Sequence, residues 1–91
     1  MTRVEQWRSN QELSRFYRTM GDTIRYLRNS RQMRIKDLSG LVGLSCPVIT
    51  KVEQGTHRLD AHHLSRFALA LRCRVSDLYP AGAISDRRQV V

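Results

Sequence analysis

Cationic side chains dominate the chemistry this chain can offer. Lys and Arg number 16 against eight Asp and Glu, a formal charge of +8 at pH 7. All but two of them are arginine. Of the two lysines, Lys36 precedes the stretch GLSCPVITKVEQG at residues 43–55 and Lys51 lies within it. Arginine presents a planar fork of donors that fits phosphate oxygens and guanine edges. Such an excess favours a polyanionic partner. A merely solvated basic surface and an anionic membrane surface are the alternatives that charge alone leaves open.

The other reactive side chains point to little chemistry. Cys46 and Cys73 lack the C-x-x-C spacing of a zinc or redox site. Cys46 is read as a small, half-buried residue at a helix start rather than a redox sensor, and Cys73 as a buried residue in an aliphatic position. His57, His62 and His63 form no i, i+4 pair, and adjacent histidines on a helix face apart, so no metal site is expected. No Ser/His/Asp arrangement, paired-carboxylate cleft or phosphate-cradling glycine loop is present. The expectation is a protein with no catalytic residues, no cofactor and no small-molecule ligand. No apolar run approaches the length of a membrane span. The stretch MTRVEQWRSN lacks the apolar core of a secretory signal. A cytoplasmic location with reduced thiols follows as an expectation.

Helices must position these groups. Apolar residues recur at helical spacing nearly throughout, and no hairpin dipeptide occurs. Residues 1–17 read as an extension, helical in part, with Ser9 or Asn10 as a cap. Trp7, Leu13, Phe16 and Tyr17 lie on one side of it. They form either a dimer or partner surface or a wrap onto the domain's own core. Helix 1 is expected from about Arg18 to Arg31, with Met20, Ile24 and Leu27 sharing a face. The stripe from Leu13 to Leu27 would let extension and helix join, against the helix cost of Gly21. Arg25 and Arg31 receive no role. Helix 2 is placed at about Ile35–Val42, with Leu38, Leu41 and Val42 inward and Gly43 as the stop. Helix 3 covers about Cys46–Gln54. Ser45 caps it, Pro47 sits in the first turn, Ile49 and Val52 face inward, and Gly55 ends it. Helix 4 covers about Ala61–Leu71, capped by Asp60, with Leu64, Phe67, Ala68 and Leu71 buried. Helix 5 runs about Val75–Tyr79 and stops at Pro80. Residues 81–91 read as a tail.

Helix 2, a glycine turn and helix 3 make a helix-turn-helix. The turn residue needs positive φ, which Gly43 adopts at least cost. Ser39 is small enough to let helix 3 cross closely. Leu38, Leu44, Ile49 and Val52 lock the crossing. The outer face of helix 3 is then free to enter a major groove.

Residues 20–79, about two-thirds of the chain, resemble the Cro/C1-type (XRE-family) helix-turn-helix domain. The resemblance is carried by the IRxLRxxR run of helix 1, DLSGLVGLS at the turn, ITKVEQG at the end of helix 3, and LSRFALAL in helix 4. It implies an all-α fold: a compact five-helix bundle of the lambda-repressor-like type over residues 18–80, with an N-terminal helical extension and a short C-terminal tail. It also implies binding to operator DNA, usually as a dimer. Carried over position by position, it assigns base contacts to Ser45, Cys46, Pro47, Thr50 and Lys51. Phosphate contacts fall to Arg34, Ile35 and Lys36 at the start of helix 2, and to Gln54, Thr56, His57 and Arg58 after helix 3. Arg28 and Glu53 match a structural ion pair tying helix 1 to helix 3. The chain departs from the family pattern at three places. Ile35 stands where Gln is frequent. Cys46 and Pro47 replace polar leaders and offer no bidentate base contact. Arg72 replaces the glycine that usually follows helix 4.

The expected function is a sequence-specific transcriptional regulator, a repressor in character, that binds an inverted repeat in double-stranded DNA as a homodimer. It would associate with the bacterial nucleoid when DNA-bound. The alternative is an antitoxin or adaptor that uses the same domain while its flanks bind a partner protein.

Overall fold

A computed structural model describes residues 3–80, and side-chain environments from residue 10 onward. The described residues form five helices and no strand: α1 (Arg3–Ser30), α2 (Ile35–Val42), α3 (Cys46–Gln54), α4 (Ala61–Leu71) and α5 (Val75–Leu78). The expected tail at residues 81–91 and the side chain of Trp7 lie outside what is described.

The first helix is longer than its cap signals suggest. Ser9 and Asn10 lie inside α1 and cap nothing, so extension and helix 1 form one unbroken rod. No proline interrupts the stretch, and the glycine at position 21 serves a packing purpose. A Cβ at Gly21 would fall 2.6 Å from the Glu53 carbonyl oxygen and against that of Val52. Only a residue without a side chain lets α1 cross α3 this closely. The rod ends where the Arg31 and Met33 N–H groups return to the carbonyls of Leu27 and Arg28, both at 3.0 Å. Gln32 between them takes φ 57°.

The remaining boundaries follow local chemistry. Asp37 accepts the N–H of Arg34 at 2.9 Å, and Asp77 accepts that of Arg74 at the same distance. Each carboxylate covers an orphan donor at the start of α2 or α5. The Ser45 hydroxyl accepts the Val48 N–H, and Asp60 accepts that of His63 at 2.8 Å. Gly43 (φ 79°) and Gly55 (φ 81°) close α2 and α3 in the left-handed region. Arg72 closes α4 in the same region at φ 56°, so the chain holds a bulky residue where glycine is the less strained choice. Tyr79 is extended and falls just outside α5.

Met20 and Ile24 of α1, Leu38 and Val42 of α2, Ile49 and Val52 of α3, Leu64, Phe67, Ala68 and Leu71 of α4, and Leu78 of α5 form one core. Each large side chain removed from water there contributes about 1.5–3 kcal/mol before entropy is set against it. Leu44 packs partly buried against this core. Leu41 does not follow the inward expectation. It is 51% exposed, because α4 packs beside the Leu38–Val42 edge of α2 and leaves the next position outside. Phe16 and Tyr17 turn onto the protein's own core. Phe16 lies 5.4 Å from Tyr17 and 5.8 Å from Tyr79 between ring centres. Cys73 is half-buried rather than enclosed, and that burial, together with the nearby Asp77, raises its thiol pKa.

Candidate nucleic-acid interface

The turn between α2 and α3 is three residues, Gly43 to Ser45, and it is held from several sides. The Gly43 N–H donates to the Ser39 carbonyl at 3.0 Å. The Ser39 hydroxyl donates across the turn to the Leu44 carbonyl. From α4, Arg66 donates to the carbonyls of Leu41 at 3.1 Å and Val42 at 3.2 Å. That guanidinium satisfies the last carbonyls of α2 and favours the negative end of its dipole. Ser39 therefore contributes more than small size, and Arg66 is a turn residue that sequence reasoning passed over.

The back of α3 is anchored as firmly. Arg28 Nε donates to Glu53 Oε2 at 2.6 Å and its Nη2 to Oε1 at 3.1 Å. Its remaining nitrogen, Nη1, donates to the Met33 carbonyl at 2.9 Å. The Glu53 side chain is 6% exposed and that of Arg28 11%, so the pair is nearly dry. Arg25 adds a contact from the rim, donating to the Glu53 carbonyl oxygen at 3.4 Å. The outer face of α3 thus points away from a rigid mount.

On that outer face stand Ser45, Cys46, Pro47, Lys51 and Gln54, all exposed. Cys46 is exposed, in place of the half-buried cap position expected for it. Thr50 is half-buried, and its hydroxyl donates to the Cys46 carbonyl at 3.2 Å, so its lone pairs and methyl group are what it offers outward. Among the described residues Lys51 enters no ion pair, and its carbonyl is taken by the Thr56 N–H at 2.9 Å and the Thr56 hydroxyl at 3.2 Å. Thr56 is thereby fixed just past the end of α3, followed by half-buried His57 and exposed Arg58.

At the start of α2 the residues divide their roles. Lys36 is exposed, whereas the side chain of Ile35 packs against the core and leaves only its N–H for an anion. Helix geometry gives the first N–H groups of α2 no internal acceptor. Arg34 is exposed, but its guanidinium is held by Asp37 at 3.3 Å. The same hydrogen bond, with the Arg34 N–H behind it, holds the Asp37 carboxyl below its ordinary value. Asp37 also sets a negative charge beside these amides, which Lys36 and Arg34 offset. The exposed candidate residues thus fall in three stretches: the α2 start, the α3 outer face and the loop after α3. Among the described residues no group of three metal-ligating side chains occurs, and no helix is long and apolar enough to cross a membrane.

Arg31, given no role from sequence, donates to the Leu71 carbonyl at 3.0 Å and caps α4.

A family model described as the Cro/C1-type HTH DNA-binding domain matches residues 23–80. No curated protein matches the chain at a significant level. Among solved structures, the restriction-modification controller protein C.AhdI from Aeromonas hydrophila superposes with a TM-score of 0.66 at 24% identity, over 68% of this chain and 94% of that one. The clp gene regulator ClgR from C. glutamicum gives 0.64 at 19%, over 68% and 80% of the two chains. A hypothetical transcription factor, NHTF, from Neisseria gives 0.67 at 16%, over 86% and 88%. At these identities the likeness is one of fold.

Proposed function

Because this chain belongs to the Cro/C1-type helix-turn-helix DNA-binding family, we propose that it is a sequence-specific transcriptional regulator, acting as a repressor, whose α3 enters the major groove. One observation carries the reading. Among the described residues Ser45, Cys46, Pro47, Lys51 and Gln54 stand exposed on the α3 outer face, while its back is held by Gly21 and the Arg28–Glu53 pair and its turn by Ser39 and Arg66. Fixed placement of a donor such as Lys51 is what a base contact demands. Thr50 and Pro47 offer methyl or ring carbon to a thymine methyl. Arg34, Lys36, the first amides of α2, Gln54, Thr56, His57 and Arg58 then contact phosphates on either side of the groove. A homodimer on an inverted repeat sets two α3 helices about 34 Å apart.

Selection of bound duplexes from a random pool tests this reading. It predicts a recovered inverted repeat with half-sites about one helical turn apart. Recovery without a shared sequence contradicts it.

The second reading is a protein-interaction adaptor or antitoxin. It is favoured by the Cys46–Pro47 lead, which has no bidentate donor, and by Leu41 and Leu69, 51% and 79% exposed, which line one shallow groove with Arg66 and Ala70. Under the adaptor reading the pool yields no consensus; an antitoxin keeps a consensus and is told apart by a partner protein bound to its flanks.

A further inference from the structure

The first helix carries more chain than the helix-turn-helix requires. The family domain begins at residue 23, whereas α1 begins at Arg3. The third to fifth turns of α1 run beside the loop that follows α3. A Cβ on Gly55 would fall 2.5 Å from the Arg18 α-carbon and 2.8 Å from its nitrogen, so the two backbones touch. Next to this contact, Leu13, Ser14 and Tyr17 of α1 and Gly55, Thr56 and Arg58 of the loop line one groove of about 300 Å³. Half of that lining therefore belongs to the loop assigned to phosphate, and half to a helix segment outside the family domain.

Arg15 and Arg18 are both exposed on this part of α1. They stand three residues apart, and Arg18 stands four from Ser14, so the three occupy adjoining positions along one side of the helix. Among the described residues, Arg15, Arg18 and Arg58 enter no ion pair, whereas Arg34 and Arg74 are each held by an aspartate. Of the carboxylates on this stretch of α1, Asp22 faces Arg25 at 4.0 Å, and Glu12 stands three residues before Arg15 and enters no ion pair among the described residues. The groove itself thus carries the Arg58 guanidinium, the Ser14 hydroxyl and apolar lining from Leu13 and Tyr17, while Arg15 and Arg18 stand exposed on the α1 segment that forms one of its walls.

We infer that the α1 wall of this groove, through Arg15 and Arg18, joins Arg58 of the loop as a second phosphate clamp that extends the DNA footprint beyond the helix-turn-helix. The inference rests on the reading of α3 as the groove-facing element. Such contacts neutralise backbone charge and release counterions, and they carry no base information. The clamp therefore raises affinity on every duplex alike.

The test compares wild type with Arg15→Ala/Arg18→Ala and with Arg15→Lys/Arg18→Lys, by fluorescence anisotropy across a salt series. The probes are the duplex recovered from the random pool and a scrambled duplex. The alanine pair should weaken binding about tenfold on both duplexes and lower the salt slope by about two, with thermal melting unchanged. The lysine pair should restore most of the affinity. Wild-type affinity and slope in the alanine pair overturn the clamp. So does a loss confined to the recovered duplex, because that would be base reading. A wild type that prefers neither duplex overturns the regulator reading, a distinct outcome, since the clamp is scored on total affinity.

Discussion

Glu53 is the one charged residue in the described core, 4% exposed overall, and its position is tolerable only because Arg28 meets both carboxylate oxygens. A buried carboxylate left alone must be rehydrated, protonated or expelled. Arg28→Ala should therefore cost about 3–5 kcal/mol of stability, read by thermal or urea melting. Arg28→Lys should recover only part of this, because one ammonium cannot serve both oxygens and the Met33 carbonyl. An unchanged melting curve in Arg28→Ala would show the pair to be dispensable. Nothing in the spacing of these residues reveals their contact, since 25 positions separate them. The pair was legible only through resemblance to a family. Arg31 and Arg66 were not legible at all, because a guanidinium that caps a distant helix looks in sequence like any surface arginine. Exposed Leu41 and Leu69 show the same limit: apolar type predicts burial, and which side α4 covers is decided by tertiary packing.

Helix boundaries were easier to read, since their signals are local. Gly43, Ser45, Gly55, Asp60 and Pro80 each punctuate the chain by a mechanism confined to one turn. The signal failed at α1, where Ser9 and Asn10 look like caps yet lie within the rod. Good cap residues are tolerated inside a helix when no breaker adjoins them and the apolar stripe continues.

Acid titration tests the caps that did form. Asp37 is held below its ordinary value by its side-chain hydrogen bond with Arg34, while Asp60 and Asp77 are held so chiefly by the backbone N–H groups they accept. A carboxyl with a depressed folded pKa stabilises the fold above its unfolded value, and that contribution disappears as pH falls through the folded value. Melting temperature should thus be flat from neutrality to about pH 5 and fall below about pH 4. The Asp37→Asn/Asp60→Asn/Asp77→Asn protein should start lower at pH 7 and show a shallower decline. Parallel curves for both proteins would contradict this assignment.

Gly21 tests the contact between elements. Alanine is the better helix former by about 1 kcal/mol in isolation. Gly21→Ala should nevertheless lower stability, by about 2 kcal/mol, since its methyl group has to displace the carbonyls of Val52 and Glu53. Chemical denaturation measures it, and a gain in stability would mean that α1 and α3 do not cross as closely as described.

The whole molecule joins a strong positive charge to a small rigid reader. The formal +8 was read at once as a preference for a polyanion, and it names no sequence. Under the proposed function specificity comes from the α3 outer face, where Lys51 enters no ion pair among the described residues and Thr50 is partly committed to its own helix. Its leading pair, Cys46 and Pro47, departs from polar family usage, so the base code lay beyond sequence reading even though the family did not. The most direct test is the affinity ratio between recovered and scrambled duplex, measured for wild type and Lys51→Ala at one salt concentration. The account predicts that the ratio falls about tenfold or more in the variant, while melting and weak general binding persist. A ratio equal to that of wild type would contradict it.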